Sequence, residues 1–322
     1  MHRNNQTAKF ATSTKAAVPS TGNHTPAANC AFFDAAPRPI SPQVFRRFQS
    51  LVYQESGIWL SDVKTALLTG RLSKRLRALR LGGFSEYYDR VTMDEEERRT
   101  MLDAITTNET HFFREPGHFQ FLERHVLPAW QANAAAGLRA RTIRVWSAGC
   151  STGQEAYSLA MLLVDRFPPT KGWSVEILAT DLSRRVLPMV EEGVWDADQA
   201  REIPPHYMRT FMLKGLGENL GKIKAAPAIR VVRSLRLNLN DPAYPDIGKF
   251  DLIFCRNVLI YFDGESRKRA VGRLLRHLAP EGYFFVGHAE SLNSVGPGLR
   301  SVIPTVYKFA ESRSTTTHAA RG

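Results

Sequence analysis

The sequence predicts an α/β protein, with a mostly parallel sheet covered by helices on both faces, a small all-helical domain before it and a small insertion within it. Three observations predict this. From about residue 140, short apolar runs alternate with helical patterns at 142–148, 154–166, 174–180, 183–192, 250–255, 265–279 and 282–288. The first run breaks at Gly149-Cys150-Ser151-Thr152-Gly153 and restarts as a helix, and the crevice at such a junction is where an α/β fold holds a ligand. Residues 42–106 show helical spacing only.

Taken in order, residues 1–41 are rich in Ala, Thr, Asn and Pro and poor in large apolar residues, so a disordered tail is expected. Phe45, Phe48, Leu51 and Val52 then fall at helical spacing. A second helix is expected over 63–80. At 100° per residue its Leu68, Leu72, Leu76 and Leu79 fall within an arc of about 80°, with Lys64, Arg71, Lys74, Arg75 and Arg77 outside it. One face packs and the other offers positive charge. Thr92 and Glu95 read as a capping box for a third helix running through Ile105. Residues 193–228, with Gly215, Gly217 and Gly221, break the strand–helix rhythm and read as an insertion. Residues 301–309 read as a final strand, and 312–322 as a second disordered tail.

At 322 residues the chain is long enough for about two domains on a prior of roughly 150 residues each. The net charge of +12 is mostly dispersed, the run at 63–80 being the exception, and a solvated basic face is the commoner meaning of such a run. Cys30, Cys150 and Cys255 form no C-x-x-C pair and read as reduced thiols. No signal peptide pattern and no membrane-spanning apolar run are present, so a cytoplasmic location is expected.

The glycine turn lacks the full dinucleotide fingerprint and the Lys of a P-loop. It fits the G-x-S-x-G elbow of a serine hydrolase, with Asp251 or Asp263 and then His288 in triad order, although no His-Gly-Gly stretch supplies an oxyanion hole. A tight turn with no ligand is the bland reading of Gly149 and Gly153. Asp181, ending the run 174–180, either accepts ribose hydroxyls or caps the helix near Ser183. The run 250–255 delivers Arg256 and Asn257 to the same carboxyl edge, with Tyr261 close behind. Thr106 to Glu115 gathers amides, hydroxyls and a guanidinium at the junction of the domains, where ligand clefts are common. His111, His118 and His125 recur every seven residues without metal spacing and read as non-ligands.

Five blocks in order closely resemble the bacterial chemotaxis receptor methyltransferases, the CheR family: Asn108-x-Thr110-x-Phe112-Phe113-Arg114, Ser147 to Glu155, Ala179-Thr180-Asp181, Asn238-Leu239, and Cys255 to Phe262. The resemblance runs from about 42 to 310, with Gln154 and Ala156 departing from the usual Gly-Glu-Glu-Pro-Tyr. It implies a Rossmann-like methyltransferase sheet that binds S-adenosylmethionine through Asn108, Thr110, Arg114, Glu155, Asp181, Asn238, Leu239, Arg256 and Asn257. Tyr261 is then expected to line the acceptor pocket, and no metal is expected. The family forms methyl esters on glutamates in the helical cytoplasmic bundle of chemoreceptors, so the basic residues Lys64, Arg71, Lys74, Arg75 and Arg77 are expected to face that partner. The insertion resembles a small antiparallel β-subdomain that in some members docks a receptor's C-terminal peptide. A monomer is expected, without nucleic acid or membrane insertion. Two alternatives stay open, methylation of a nucleic acid or amino group and a module that holds the cofactor only as a regulator. The Asn-Pro-Pro-Tyr loop of base N-methylating relatives is replaced here by Asn257-Val258-Leu259-Ile260-Tyr261.

Overall fold

The computed structural model describes residues 9–10, 39–292 and 298–310. Of the two tails read as disordered, only 9–10 and 39–41 lie among them, Lys9–Phe10 forming a two-residue strand, β1. Helix α1 (Pro42–Ser56) starts where Ser41 accepts the Val44 N–H and Pro42 supplies a preset φ at the first turn. A short 3₁₀ turn, Asp62–Lys64, leads into α2 (Thr65–Leu79). An unexpected helix, α3 (Phe84–Met93), runs up to Asp94, and the expected third helix is α4 (Glu95–Ile105) beyond it. Thr92 lies inside α3, and the cap is Asp94, whose carboxylate accepts the Glu96 and Glu97 N–H groups. Asp outcompetes Thr because one of its oxygens, Oδ1, reaches both orphan donors and its charge favours the positive helix end. Phe45, Phe48, Leu68, Leu72, Tyr87 and Met101 form one buried core for this domain.

The segment 107–141, left without elements by the sequence pattern, holds α5 (Pro116–Phe121), a π-turn over Leu122–Val126 and α6 (Leu127–Ala135). Next come β2 (Thr142–Ala148), α7 (Gln154–Arg166), β3 (Ser174–Asp181) and α8 (Leu187–Glu192). The insertion comprises β4 (Val194–Asp196), α9 (Pro205–Phe211), β5 (Met212–Gly215) and β6 (Lys222–Ala225). Then β7 (Val232–Arg236), β8 (Phe250–Cys255), α10 (Gly264–Leu275) and β9 (Leu278–Val286) follow. The stretch expected as one last strand is a hairpin, β10 (Leu299–Ile303) and β11 (Val306–Phe309), turning at Pro304-Thr305, where proline cannot donate to a ladder.

The seven-stranded sheet has the order β10-β11-β9-β8-β2-β3-β7, parallel except for the terminal hairpin. Alternation within each strand divides its side chains between two cores. Ile143 and Val145 of β2 pack towards α7, while Trp146 and Ala148 join the core that holds Val271 and Leu274 of α10. Strand β7, Val-Arg-Ser-Leu-Arg, carries too little apolar pattern to read as a strand, since it is an edge with only β3 as neighbour. The insertion's strands pair antiparallel, β5 with β6 and β6 with β4, and β1 adds in parallel to the outer side of β5.

The helical domain sits over the carboxyl edge of the sheet. Asn238 Nδ2 donates to the Glu55 carbonyl at 2.7 Å, Tyr53 Oη to Asp263 at 2.9 Å, and Arg184 Nη1 to Glu96 at 2.9 Å. Such bonds contribute about 0.5–1.5 kcal/mol each, and here they fix one domain over the crevice formed by the other.

Candidate functional site

That crevice is a single cleft of about 1120 Å³, measured to its open mouth. Its floor is Gly149, Cys150, Ser151 and Asp181 at the ends of β2 and β3. Its walls are Leu237, Asn238, Leu239 and Val258, and its roof is Ile58, Leu60, Lys64 and Leu67 from the helical domain. Asn108, Thr110, Arg114, Glu155, Arg256, Asn257 and Tyr261 also line it, so every residue the resemblance pointed to for the cofactor or acceptor faces one cavity. The roof residues were not expected, because a helical wheel shows which face is apolar but not what lies above it.

The glycine turn is explained largely by the chain itself. Gly149 has φ +78°, and a Cβ there would lie 2.3 Å from Val258 Cγ2. Its N–H and that of Cys150 both donate to the Thr180 carbonyl, at 2.7 and 2.9 Å. The turn thus shapes the floor rather than presenting free donors. Asp181 fulfils the capping role and keeps capacity for more. One oxygen accepts the Ser151 N–H and the other the Ser183 N–H, both at 2.9 Å, leaving a lone pair on each oxygen in a residue that borders the cleft. Burial raises its pKa, against the pull of those two N–H groups.

The fit to S-adenosylmethionine can be tested on two features. Asn108 Nδ2 is buried without a hydrogen-bond partner on the cleft wall, as expected of a donor reserved for a ligand. The cleft also sets the Asp181 carboxylate and the Arg114 guanidinium among the apolar side chains of Leu237, Leu239 and Phe262. A nucleoside bearing both hydroxyls and a carboxylate requires those groups together.

Arg256 and Glu155 are set apart from the other lining residues. The Arg256 side chain is 1% exposed and lies between Glu115 and Glu155, at 3.1 and 3.0 Å, also donating to the Arg114 carbonyl. Glu155 accepts from Ser147 Oγ at 2.6 Å, and burial raises its pKa against the opposing effect of Arg256. Burial acts the same way on Glu115, but Arg256 and the His288 N–H outweigh it and hold its pKa low. This buried array holds Arg114 in place by its backbone. A second support was missed. Glu290, 1% exposed, accepts the Asn257, Gly287 and Ile260 N–H groups at 2.7, 2.7 and 3.1 Å and so shapes the loop carrying Asn257 and Tyr261. Its only sequence signal is a carboxylate, in Gly287-His288-Ala289-Glu290, just past an apolar strand.

The basic run is less uniform than its wheel implied. Lys74 and Arg77 are exposed, and Lys64 sits at the mouth of the cleft with Nζ 5.3 Å from the Tyr261 ring centroid. Arg71 instead donates to the Ile105 carbonyl and, at 2.9 Å, to Thr107 Oγ1. Arg75 forms a two-pronged pair with the buried Glu97, at 2.5 and 2.9 Å. These two guanidiniums tie α2 to α4 and the linker, because α2 is flanked there by backbone and carboxylate rather than by solvent.

The hydrolase alternative is not assembled. Ser151 has the strained φ of +51° but donates its hydroxyl to the Asn108 carbonyl at 2.8 Å. Asp251 binds Arg139 and the Arg144 N–H at the opposite end of β8, Asp263 caps α10, and His288 faces Glu115. Cys150 and Cys255 are free, buried thiols, and Cys30 lies outside the described residues. Among the described residues no helix is long and apolar enough to cross a membrane.

Comparison with known proteins agrees with this geometry. Residues 43–106 match the CheR methyltransferase all-alpha domain, and residues 108–306 the CheR methyltransferase SAM binding domain. The chain is 37% identical over 271 residues to chemotaxis protein methyltransferase 2 of Pseudomonas aeruginosa, covering 83% of this chain and 92% of that one. It is 34% identical over 272 residues to the chemotaxis protein methyltransferase of Borreliella burgdorferi, covering 84% and 95%. It is likewise 34% identical over 276 residues to that of Escherichia coli, covering 84% and 92%. The chain belongs to the CheR methyltransferase family, with the S-adenosylmethionine-binding domain forming the floor of the cleft and the all-helical domain its roof.

Proposed function

We propose that this chain methylates glutamate side chains of chemoreceptors, as a protein-glutamate O-methyltransferase acting in chemotactic adaptation. The observation that carries the site assignment is the convergence of Asp181, Arg114 and the unpartnered Asn108 amide on one cleft with Tyr261 at its rim. In this reading Asp181 accepts the ribose hydroxyls, Arg114 pairs with the cofactor's carboxylate, and Asn108, Thr110, Asn238, Leu239 and Asn257 hold the remainder. Arg256 and Glu155 act as positioning residues, since their charges already satisfy each other. S-adenosylmethionine supplies a methyl group on a sulfonium, an electrophile with its own leaving group.

The chain therefore has little proton chemistry to perform. A glutamate with an ordinary pKa of about 4.3 is ionised near neutrality and attacks without a general base. What the residues must supply is alignment, which can contribute roughly 7–11 kcal/mol. Tyr261 orients the acceptor at the rim, and Lys64 above its ring attracts the incoming carboxylate. The exposed Trp59, Val63, Leu67 and Ile260, together with Lys74 and Arg77, give the face around the mouth an apolar and cationic character suited to an acidic helical partner. By the same family resemblance, the edge of the inserted sheet is the seat for a receptor's C-terminal peptide, which a pulldown with tail peptides checks.

The test is transfer of labelled methyl from S-adenosylmethionine to membranes bearing receptors. Label released by mild base is expected, as methyl esters require. Base-stable label, or label on nucleic acid, would overturn the reading.

A further inference from the structure

Beside the cleft but outside its lining, His118 packs in the interior at 2% exposure, its ring edge-on to Phe285. Its Nε2 lies 2.8 Å from Thr305 Oγ1, and that hydroxyl lies 2.5 Å from the Pro304 carbonyl. With the hydroxyl donating to the Pro304 carbonyl, which carries no proton of its own, His118 Nε2 donates to the hydroxyl. The neutral ring then turns the bare lone pair of Nδ1 inward. Nδ1 has no hydrogen-bond partner and faces Glu115 Oε2 at 3.5 Å. His288 Nε2 lies 3.8 Å from the same oxygen, and the three ligand atoms are within 4.8 Å of one another.

Arg256 Nε and Nη2 donate to that same Glu115 oxygen, at 3.3 and 3.1 Å, but they leave the inward lone pair of Nδ1 with no donor. We propose that Glu115, His118 and His288 bind one divalent transition-metal ion, zinc or an ion of similar preference. Ligands at 2.0–2.2 Å around a tetrahedral ion lie roughly 3.4 Å apart. The separations of 3.5 and 3.8 Å are near that value, and the exposed His288 can close the third. With its side chain 67% exposed, His288 leaves an entry path and room for a water as fourth ligand. The outer bonds are already made, since His118 donates its other N–H to Thr305 and Glu115 is fixed by Arg256 and the His288 N–H. Arg256 is held by two carboxylates, Glu115 and Glu155, so its charge is offset where the ion would sit. The histidine spacing in sequence gave no hint, because the three ligands come from α5's first turn, the residue before it and the loop after β9.

Cobalt(II) is the probe, titrated into tag-free, chelator-stripped full-length protein and followed by visible absorption. One equivalent should bind, with the intense bands of a low-coordinate nitrogen and oxygen site, and zinc should displace it. His288→Ala, at an exposed position, should keep the thermal midpoint and lose at least about tenfold in affinity, since even outer partners are worth about 10–100-fold. Glu115→Gln should weaken binding as well. Absence of saturable binding at one equivalent, or equal affinity in His288→Ala, would overturn the proposal.

Discussion

Replacing Gly149 by alanine tests whether the floor of the cleft is built by the turn's own packing. The residue has φ +78°, which costs an L side chain roughly 1–2 kcal/mol. The added Cβ would lie 2.3 Å from Val258 Cγ2, with Val258 Cβ and Cγ1 both at 3.4 Å. Forcing a methyl into that space costs about 1–3 kcal/mol more, so Gly149→Ala should destabilise by roughly 2–5 kcal/mol. Val258→Ala removes the colliding methyl and leaves an ordinary contact, and at this half-buried position it should cost about 0.5–1.5 kcal/mol alone. In the double variant the overlap disappears while the φ strain stays. Urea unfolding of the four proteins should therefore give a favourable coupling of about 1–3 kcal/mol. Binding of S-adenosylhomocysteine, measured by calorimetry, should weaken in Gly149→Ala and partly recover in the double variant, because Ser151 and Asp181 depend on the same turn. Additivity within about 0.5 kcal/mol would refute the steric reasoning.

Other outcomes follow from the same geometry. Tyr261→Ala should lower kcat for receptor methylation while leaving cofactor affinity within about threefold, one factor of ten being 1.4 kcal/mol; a loss confined to cofactor binding would move Tyr261 out of the acceptor role. Charge reversal at the exposed Lys74 and Arg77 should weaken receptor methylation in a salt-dependent way without affecting cofactor binding, and equal turnover would remove these residues from the docking face. Arg75→Glu should instead unfold the helical domain at lower urea, because it leaves the buried Glu97 unpaired beside a like charge, a loss of about 3–5 kcal/mol. His118 takes up its proton only at about 4 when folded, against 6.5 unfolded, chiefly because it is buried. The unfolded chain thus binds more protons in that window, so stability should fall as pH drops from about 6.5 to 4, by up to about 3 kcal/mol. With chelator present, His118→Phe should flatten that part of the urea-midpoint profile, and an unchanged slope would exclude His118 as its source.

Most of the fold was legible because its signals are local. The apolar runs of β2, β3 and β8 and the restart at Gln154 follow from period and turn chemistry within a few residues. What escaped the pattern had weaker local signals. Strand β7 is a polar edge, and Thr92 resembled a cap, whereas Asp94 sets one carboxylate oxygen within reach of two orphan N–H groups. Asp181 could be named from its place at a strand end, but whether it capped or bound was open, and the two N–H groups it accepts show that one carboxylate can do both.

By itself the sequence determined the parallel sheet, the helical domain ahead of it and the family, since periodicity and short motifs are carried by neighbouring residues. Only the tertiary structure decided which of these charges are available to a partner. Arg71 and Arg75 lie on the same basic run as Lys74 and Arg77, yet they are engaged by Ile105, Thr107 and Glu97. Arg256 and Glu155 likewise complete each other beneath the cleft. The physical reason is that a charge's role depends on its solvent and its counter-charge, and both are set by segments 141 residues and more away in the chain.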